Sequence, residues 1–539
     1  MLQKESFISA AEKGPVPVLY EELPYAPPAE VYGKFAGPGA ILFESVKGHP
    51  KTARYSFIGF EPYMSLRVKD GVSEISRRAE PPISRGAEPP LGAGVRNPMD
   101  GGVRNPHPLR LLKELVGAYR QMPALGLPPF QGGAAGLFSY DFVHYFERLP
   151  KTTLDDLRLP DAHFFFFDRL IAFDHLMGKS WAIVCPGARE GVRNPGALRA
   201  VPSWAEEFDK AVYELEDIRK RATGGATSPC DFGAGSPCDF GAGSPRGGHG
   251  PQRKRDASSP IETIHTMDKK HYIDMVKRAK EYIAAGDIFQ ANISLRVSAH
   301  IGDIRPWDLY LTLRTINPSP FACFMDFGDY FIVGSSPERL LLVRDGAVET
   351  RPIAGTRPRG RDRAGDEAMR RELLLNEKER AEHVMLIDLE RNDLGKVSDY
   401  GSVSVDELMI TEDCSHVIHI VSNIKGRLAP GKDMFDSIRA AFPGGTITGV
   451  PKVRCMEIID ELEPLRRGPY TGSAGYFGFS GNADFNIVIR TFVIKDGTAH
   501  VQAGAGIVAD SVPEREYEES LKKAEALIKT LTSALAGKT

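Results

Sequence analysis

The 539-residue chain has only six cysteines, Cys185, Cys230, Cys238, Cys323, Cys414 and Cys455, and no two are spaced as a CxxC pair. Their scatter argues against a structural zinc site and a disulfide framework, and reads as free thiols in a reducing compartment. None sits in a Gly-x-Cys-x-Gly elbow, so no glutamine-hydrolysing nucleophile of that kind is present. A nucleophile–base triad is not evident either. No apolar run approaches the roughly 18 residues of a membrane span, and Met1-Leu2-Gln3-Lys4-Glu5-Ser6 lacks the charged-then-apolar pattern of an export signal. A cytoplasmic protein is expected. Charge of one sign is missing too: 68 Lys and Arg against 71 Asp and Glu leave a net charge of −3. This gives no general attraction to nucleic acid or an anionic membrane, so binding must arise from local sites. A hydrophobic content of 42% over this length predicts two or three domains or one large intertwined α/β domain.

Short repeats interrupt the chain. The octapeptide from Ile75 to Pro82 recurs with one substitution from Ile83 to Pro90. Gly-Val-Arg-Asn-Pro begins at 94, 102 and 191, and Ser-Pro-Cys-Asp-Phe-Gly-Ala-Gly runs twice from Ser228 to Gly243. Repeats this short and this rich in Pro and Gly cannot stack into a solenoid and read as loop expansions, which a fold tolerates at its surface. Residues 222–262 read as a disordered linker. Its Arg253-Lys254-Arg255 run has no interleaved aromatic residue, and so reads as solvated linker rather than a nucleic-acid patch.

Ordered sequence lies between. Ala40 to Ser45 and Arg54 to Phe60 have strand length, Gly132 to Asp141 predicts a strand in close backbone contact with a neighbour, and His163 to Phe167 predicts a fully buried strand. A helix is expected from His271 to Ala285, ending at Gly286. Asp287 to Arg296 then alternates as a strand, with Gln290, Asn292, Ser294 and Arg296 on one face, turned to solvent or to a polar cavity.

Between Glu372 and Leu389 there is neither Pro nor Gly, and apolar residues recur at helical spacing, so one continuous helix is expected. It carries Glu379 and Glu382 on one face, and the last helix carries Glu516 and Glu519 at the same spacing. Two such pairs suit a hard cation that keeps several waters, as Mg²⁺ does, although Glu-rich faces are commonly just solvated. Phe442 to Lys452 is a Gly-rich loop ahead of a helix beginning near Val453, with N–H groups able to cradle an anion. Ile487 to Thr491 reads as a buried strand with Arg490 inside, and Gln502 to Gly506 lets the backbone approach a ligand closely. A buried Arg requires an acidic partner or an anionic ligand. These features predict a polar cavity for a small carboxylated molecule and a divalent cation.

Five segments together are specific: Gly286-Asp287-Ile288-Phe289-Gln290, Ser336-Pro337-Glu338, Pro352-Ile353-Ala354-Gly355-Thr356, Glu382 to Asp393, and Gln502-Ala503-Gly504-Ala505-Gly506. On them the chain resembles the chorismate-utilising enzymes over nearly its whole length, apart from the repeats. The resemblance implies an α+β fold, a large two-sheet β-sandwich with outer helices. It divides the chain into an N-terminal region at 1–221 with insertions near 75–106 and 186–198, the linker at 222–262, and a chorismate-binding catalytic domain at 263–539. It also implies Mg²⁺ held by Glu382 and Glu519, with Glu379 and Glu516 reaching it through waters. Gly355 and Thr356 would line the ring site, while Tyr470, Arg490 and the backbone at Gly504, Ala505 and Gly506 would grip the enolpyruvyl carboxylate. Glu338 matches the family's general acid and would need a pKa raised by burial. His419 matches the histidine near the C4 hydroxyl, although taken alone it reads as a core histidine, as His383 and His416 do.

Two positions bear on the reaction. Gln290 stands where water-using relatives have a Lys base, which makes ammonia the expected nucleophile. Ala354 stands where the 4-aminating branch has Lys, which favours direct amination at C2 to anthranilate and pyruvate, a lyase reaction opening tryptophan synthesis. Segments around Gln290, Gly445 to Lys452 and Tyr470 to Ser473 look closer to the 4-aminating branch, which serves folate synthesis. With no cysteine nucleophile, the resemblance implies a separate glutamine amidotransferase subunit as ammonia source. Leu42 to Ser45 and Asn317 to Ala322 resemble two halves of a tryptophan site, involving Ser45, Pro320, Phe321 and Ala322. There Phe321 and Ala322 replace the Tyr and Met of regulated members. A non-catalytic chorismate- or tryptophan-binding protein is the remaining alternative, disfavoured by the presence of Glu338, His419 and both carboxylate pairs.

Overall fold

The computed structural model describes residues 2–77, 103–193, 203–224, 263–413 and 417–535. Most of the repeat expansions and of the linker, with Cys230, Cys238, Cys414 and His416, lie outside the described residues. Among those described, Cys185, Cys323 and Cys455 are free and buried, and no helix is long and apolar enough to cross a membrane.

Two twelve-stranded sheets make up the body. Both take strands from each end of the chain. In one, Phe321–Asp326 pairs with Ile41–Glu44; in the other, Ser473–Gly478 pairs with Gly133–Phe138. The strand Ala162–Phe167 is buried at every position, and Phe138, Phe164, Phe477 and Phe485 pack edge-on and tilted about it. Outer helices include Lys269–Ala284, capped by Asp268, and Pro513–Leu535.

Glycine permits the tightest strand contacts. Gly136 faces Gly475 across a strand pair, and a Cβ at either would come 2.1 Å from a neighbouring carbonyl oxygen, of His163 or Asp484 respectively. Gly475→Ala should therefore destabilise the fold by roughly 1–3 kcal/mol, since the obstructing atom is backbone and cannot rotate away. A shift of the urea midpoint checks this.

Two expectations are corrected. The helix expected from Glu372 to Leu389 is two helices, Arg363–Leu375 and Glu377–Gly395, and the Asn376 side chain between them accepts from Glu379 N at 3.0 Å. Asn competes with the helix for backbone donors and so begins a new one. The strand expected from Ile487 to Thr491 is instead a passage between sheets. Ala483–Asn486 belongs to one sheet and Thr491–Lys495 to the other, with Arg490 between them at φ +51°.

Candidate active site

A second passage runs beside that one. The strand Tyr330–Ser336 lies in one sheet and Arg339–Arg344 in the other, and Glu338 sits where the chain changes sheets. The two passages are stitched together: Ile487 N donates to Glu338 O at 3.0 Å, Ser335 N to Arg490 O at 3.1 Å, and Ser336 Oγ to Ile487 O at 2.6 Å. Arg339 fixes the far side through a bidentate pair with Asp484 at 2.9 and 3.0 Å. Acid and guanidinium are thus carried by adjoining, hydrogen-bonded segments in the seam of the sandwich.

Glu338 is only 6% exposed and its Oε1 is buried without a hydrogen-bond partner. Loss of solvation pushes its carboxyl up to about 7, opposed by the nearby Thr446 hydroxyl, which lacks regular hydrogen-bond geometry, the main chain at Ile353, Arg490 and Lys523. It holds a proton near neutrality, as a general acid must.

His419 lies opposite Thr356 in the strand pair Ile353–Pro358 with Val417–Arg427, at an irregularity where Gly355 has φ +67°. Its Nδ1 meets Thr356 Oγ1 at 2.9 Å and Gly355 O at 3.3 Å, while Nε2 is buried without a partner. A carbonyl only accepts, so the Gly355 contact assigns the proton to Nδ1 and leaves the Nε2 lone pair open. Burial, with help from Arg490, holds the imidazole down at about 4 and therefore neutral, against the Gly355 bond. Arg490 acts electrostatically on both Glu338 and His419, which places the three in one field.

Glu379 approaches Gly355 so closely that a Cβ there would lie 2.7 Å from its Oε2, and its Oε1 accepts from Arg357 at 2.9 Å. Burial raises the carboxyl of Glu382; Lys378 opposes, and Glu379, Glu516 and Glu519 raise it further. Burial likewise raises Glu516, opposed by a Ser511 hydrogen bond and reinforced by Glu519. The two helices therefore bring their carboxylates into one repulsive group, which suits a hard dication chemically. Among the described residues, however, no three such donors close into a metal-holding cluster.

Gln290 starts the strand Gln290–His300, whose polar face is buried rather than solvent-facing. Opposite it runs Thr498–Ile507, so that Asn292 pairs with Gly506 and Ser294 with Gly504. Tyr470 is buried, which raises its phenol, and the Arg467 guanidinium stands 5.6 Å from its ring. Ser45, Pro320, Phe321 and Ala322 line a separate cavity of about 410 Å³, where Ser45 Oγ donates to Pro320 O at 3.0 Å.

Sequence reasoning missed two features. Lys523 donates to Gly504 O at 3.0 Å and pairs with Glu519 at 2.9 Å, so it joins the carboxylate group to the glycine strand. Its position one helical turn past Glu519 was the available signal. The other is the buried pair Arg467–Glu463. Arg467 reaches Glu463 at 2.6 and 2.9 Å, Asn292 O at 2.6 Å and Ile447 O at 3.0 Å, while Glu463 accepts from Ser294 N and Oγ at 2.9 and 2.8 Å.

A sandwich with a buried acid and an arginine in its seam, a neutral histidine on one sheet and a group of opposed carboxylates on two helices suits an enzyme acting on a small anionic substrate. The chain belongs to the chorismate binding enzyme family, whose model matches residues 99–529. It is 40% identical over 494 residues to anthranilate synthase component 1 of Acetivibrio thermocellus, covering 92% of this chain and 90% of that one. It is also 40% identical over 491 residues to aminodeoxychorismate synthase component 1 of Bacillus subtilis, covering 91% of each. Among solved structures, anthranilate synthase component I from Streptococcus pneumoniae superimposes with a TM-score of 0.69 at 33% identity, covering 88% of this chain and 92% of that one.

Proposed function

We propose that this chain is the chorismate-aminating large subunit of anthranilate synthase, forming anthranilate and pyruvate from chorismate and ammonia. The observation that carries the reading is Glu338, a buried acid protonated near neutrality, set in the seam beside Arg490, whose charge also acts on His419. Ammonia adds through its lone pair at C2, the ring double bonds shift and the C4–O bond breaks. Glu338 gives its proton to the departing hydroxyl, which leaves as water, and the new ammonium group loses a proton to solvent. His419 stands neutral by the C4 oxygen. Arg490, Tyr470 and the backbone at Gly504 to Gly506 hold the enolpyruvyl carboxylate, and Gly355 and Thr356 line the ring. Loss of the C2 proton with cleavage of the C3–O bond then gives the aromatic ring and expels enolpyruvate, which takes up a proton at its methylene carbon to become pyruvate.

Glu382 and Glu519 would hold Mg²⁺ directly, with Glu379 and Glu516 reaching it through waters; when bound, the ion supplies positive charge for the C1 carboxylate. Treatment with a chelator should abolish turnover of chorismate, and added Mg²⁺ should restore it. Activity unchanged after chelation would remove the metal from the account. A glutamine amidotransferase subunit would supply ammonia in the cell, and ammonium salts should replace it in solution.

Formation of 4-amino-4-deoxychorismate is the second reading, favoured by the equal identity to the Bacillus subtilis aminodeoxychorismate synthase component 1. Ala354 decides against it, since a methyl group cannot supply a nucleophilic amine at that position. Tryptophan feedback through the 410 Å³ cavity is supported by the convergence there of Ser45, Pro320, Phe321 and Ala322 from distant parts of the sequence. A tryptophan titration should reduce anthranilate formation, and a flat response would count against that regulation.

A further inference from the structure

Gln290, Asn292, Ser294 and Arg296 share one face of the strand Gln290–His300. At its far end this face has its acceptors satisfied: Arg296 pairs with Asp156, with only its Nε donor left without a partner, and Ser294 is held by Glu463 and accepts from Gln502 Nε2 at 2.9 Å. At the near end they are not. Gln290 Oε1 and Asn292 Oδ1 are both buried without a hydrogen-bond partner, and Asn292 as a whole is 8% exposed. Two orphaned acceptors two residues apart are costly to bury, and each calls for a donor that the protein itself does not provide.

Both amides lie against the glycine strand. A Cβ at Gly506 would come 2.4 Å from Gln290 Nε2, and one at Gly504 would come 2.7 Å from Asn292 Oδ1. The proposed function sets the enolpyruvyl end of chorismate on this same backbone, so the open acceptors border that end of the substrate, which is carried on C3 beside the aminated C2. Their backbone is fixed independently of their side chains: Arg467 Nη2 donates to Asn292 O at 2.6 Å, and Cys455 Sγ to Gln290 O at 3.0 Å.

We propose that Gln290 Oε1 and Asn292 Oδ1 together form the receiving site for ammonia. The assignment rests on the aminating function and deepens it. Ammonia offers three N–H donors and one lone pair, so two N–H···O bonds leave the lone pair free to attack. Neither amide is a base: ammonia needs none, whereas a water held there gains no activation. Asn292 thereby joins Gln290 in selecting the nucleophile.

The test is steady-state kinetics of the full chain with ammonium and chorismate varied separately, for wild type, Asn292→Leu and Gln290→Met. Each substitution replaces the amide by an apolar side chain of similar length, removing its acceptor, and leaves the main-chain contacts in place. The expected result is a rise of about tenfold in the KM for ammonium in each variant, the loss of one hydrogen bond to a buried acceptor. The KM for chorismate should stay within about twofold, and kcat should recover at saturating ammonium. An unchanged ammonium KM in both variants would overturn the assignment and leave the acceptors to an ordered water. Equal rises in both KM values would overturn it in favour of general distortion. If wild type turns over no chorismate with ammonium, the functional reading fails and this assignment fails with it. Normal wild-type turnover with unaffected variants overturns the assignment alone.

Discussion

Glu338→Gln should lower kcat by about 10²- to 10⁴-fold, the range lost with a general acid, while the KM for chorismate changes little. The carboxamide keeps the shape and burial of the side chain but has no proton to give to the C4 hydroxyl. The loss should be pH-specific. Burial raises the Glu338 carboxyl to about 7, so the acid form predominates below that pH and falls about tenfold per unit above it. At constant free ammonia, wild-type kcat/KM for chorismate should therefore decline as pH rises through about 7, and the residual kcat/KM of Glu338→Gln should not follow that decline. His419, held at about 4, stays neutral throughout this window and contributes no second step. A Glu338→Gln enzyme within a few-fold of wild type would move the acid elsewhere.

The second large effect is on stability. Arg467→Met should destabilise the protein by about 3–5 kcal/mol, because it leaves the Glu463 carboxylate buried without its countercharge. The pair is almost inaccessible, with side-chain exposures of 1% and 2%. Its hydrogen bonds reach the strand Gln290–His300 at Asn292 and Ser294 and the Gly-rich loop at Ile447, while the guanidinium lies 5.0 Å from the Tyr140 ring and 5.6 Å from Tyr470. The double variant Glu463→Gln with Arg467→Met removes both charges and should recover part of the loss. Chemical denaturation of the three proteins reads this directly. A double variant less stable than Arg467→Met would show that hydrogen bonding, rather than charge, dominates the site.

Local pattern carries the strands and both carboxylate pairs, because alternation and i,i+3 spacing are properties of short segments. It fails where one segment serves two sheets. Ile487 to Arg490 is apolar and β-branched enough to read as strand, yet the chain changes sheets there and Arg490 adopts φ +51°. The same geometry shapes the candidate site, since Glu338 lies on the neighbouring passage. The break at Asn376 was legible only through the capping preference of Asn. The Arg467–Glu463 pair lies just past a helix end at Leu462, so helical spacing alone does not predict that they meet. Ser45 and Pro320 come together through the pairing of Ile41–Glu44 with Phe321–Asp326, a contact between distant segments that the family resemblance implied and that alternation or spacing alone does not announce.

Product analysis distinguishes amination at C2 from amination at C4: purified protein with chorismate, Mg²⁺ and ammonium at alkaline pH, followed by fluorescence and mass. Fluorescent anthranilate with stoichiometric pyruvate is the predicted result and assigns amination to C2. A 4-amino product that retains the enolpyruvyl group would contradict it, and would mean that another group does at the ring what Ala354 cannot.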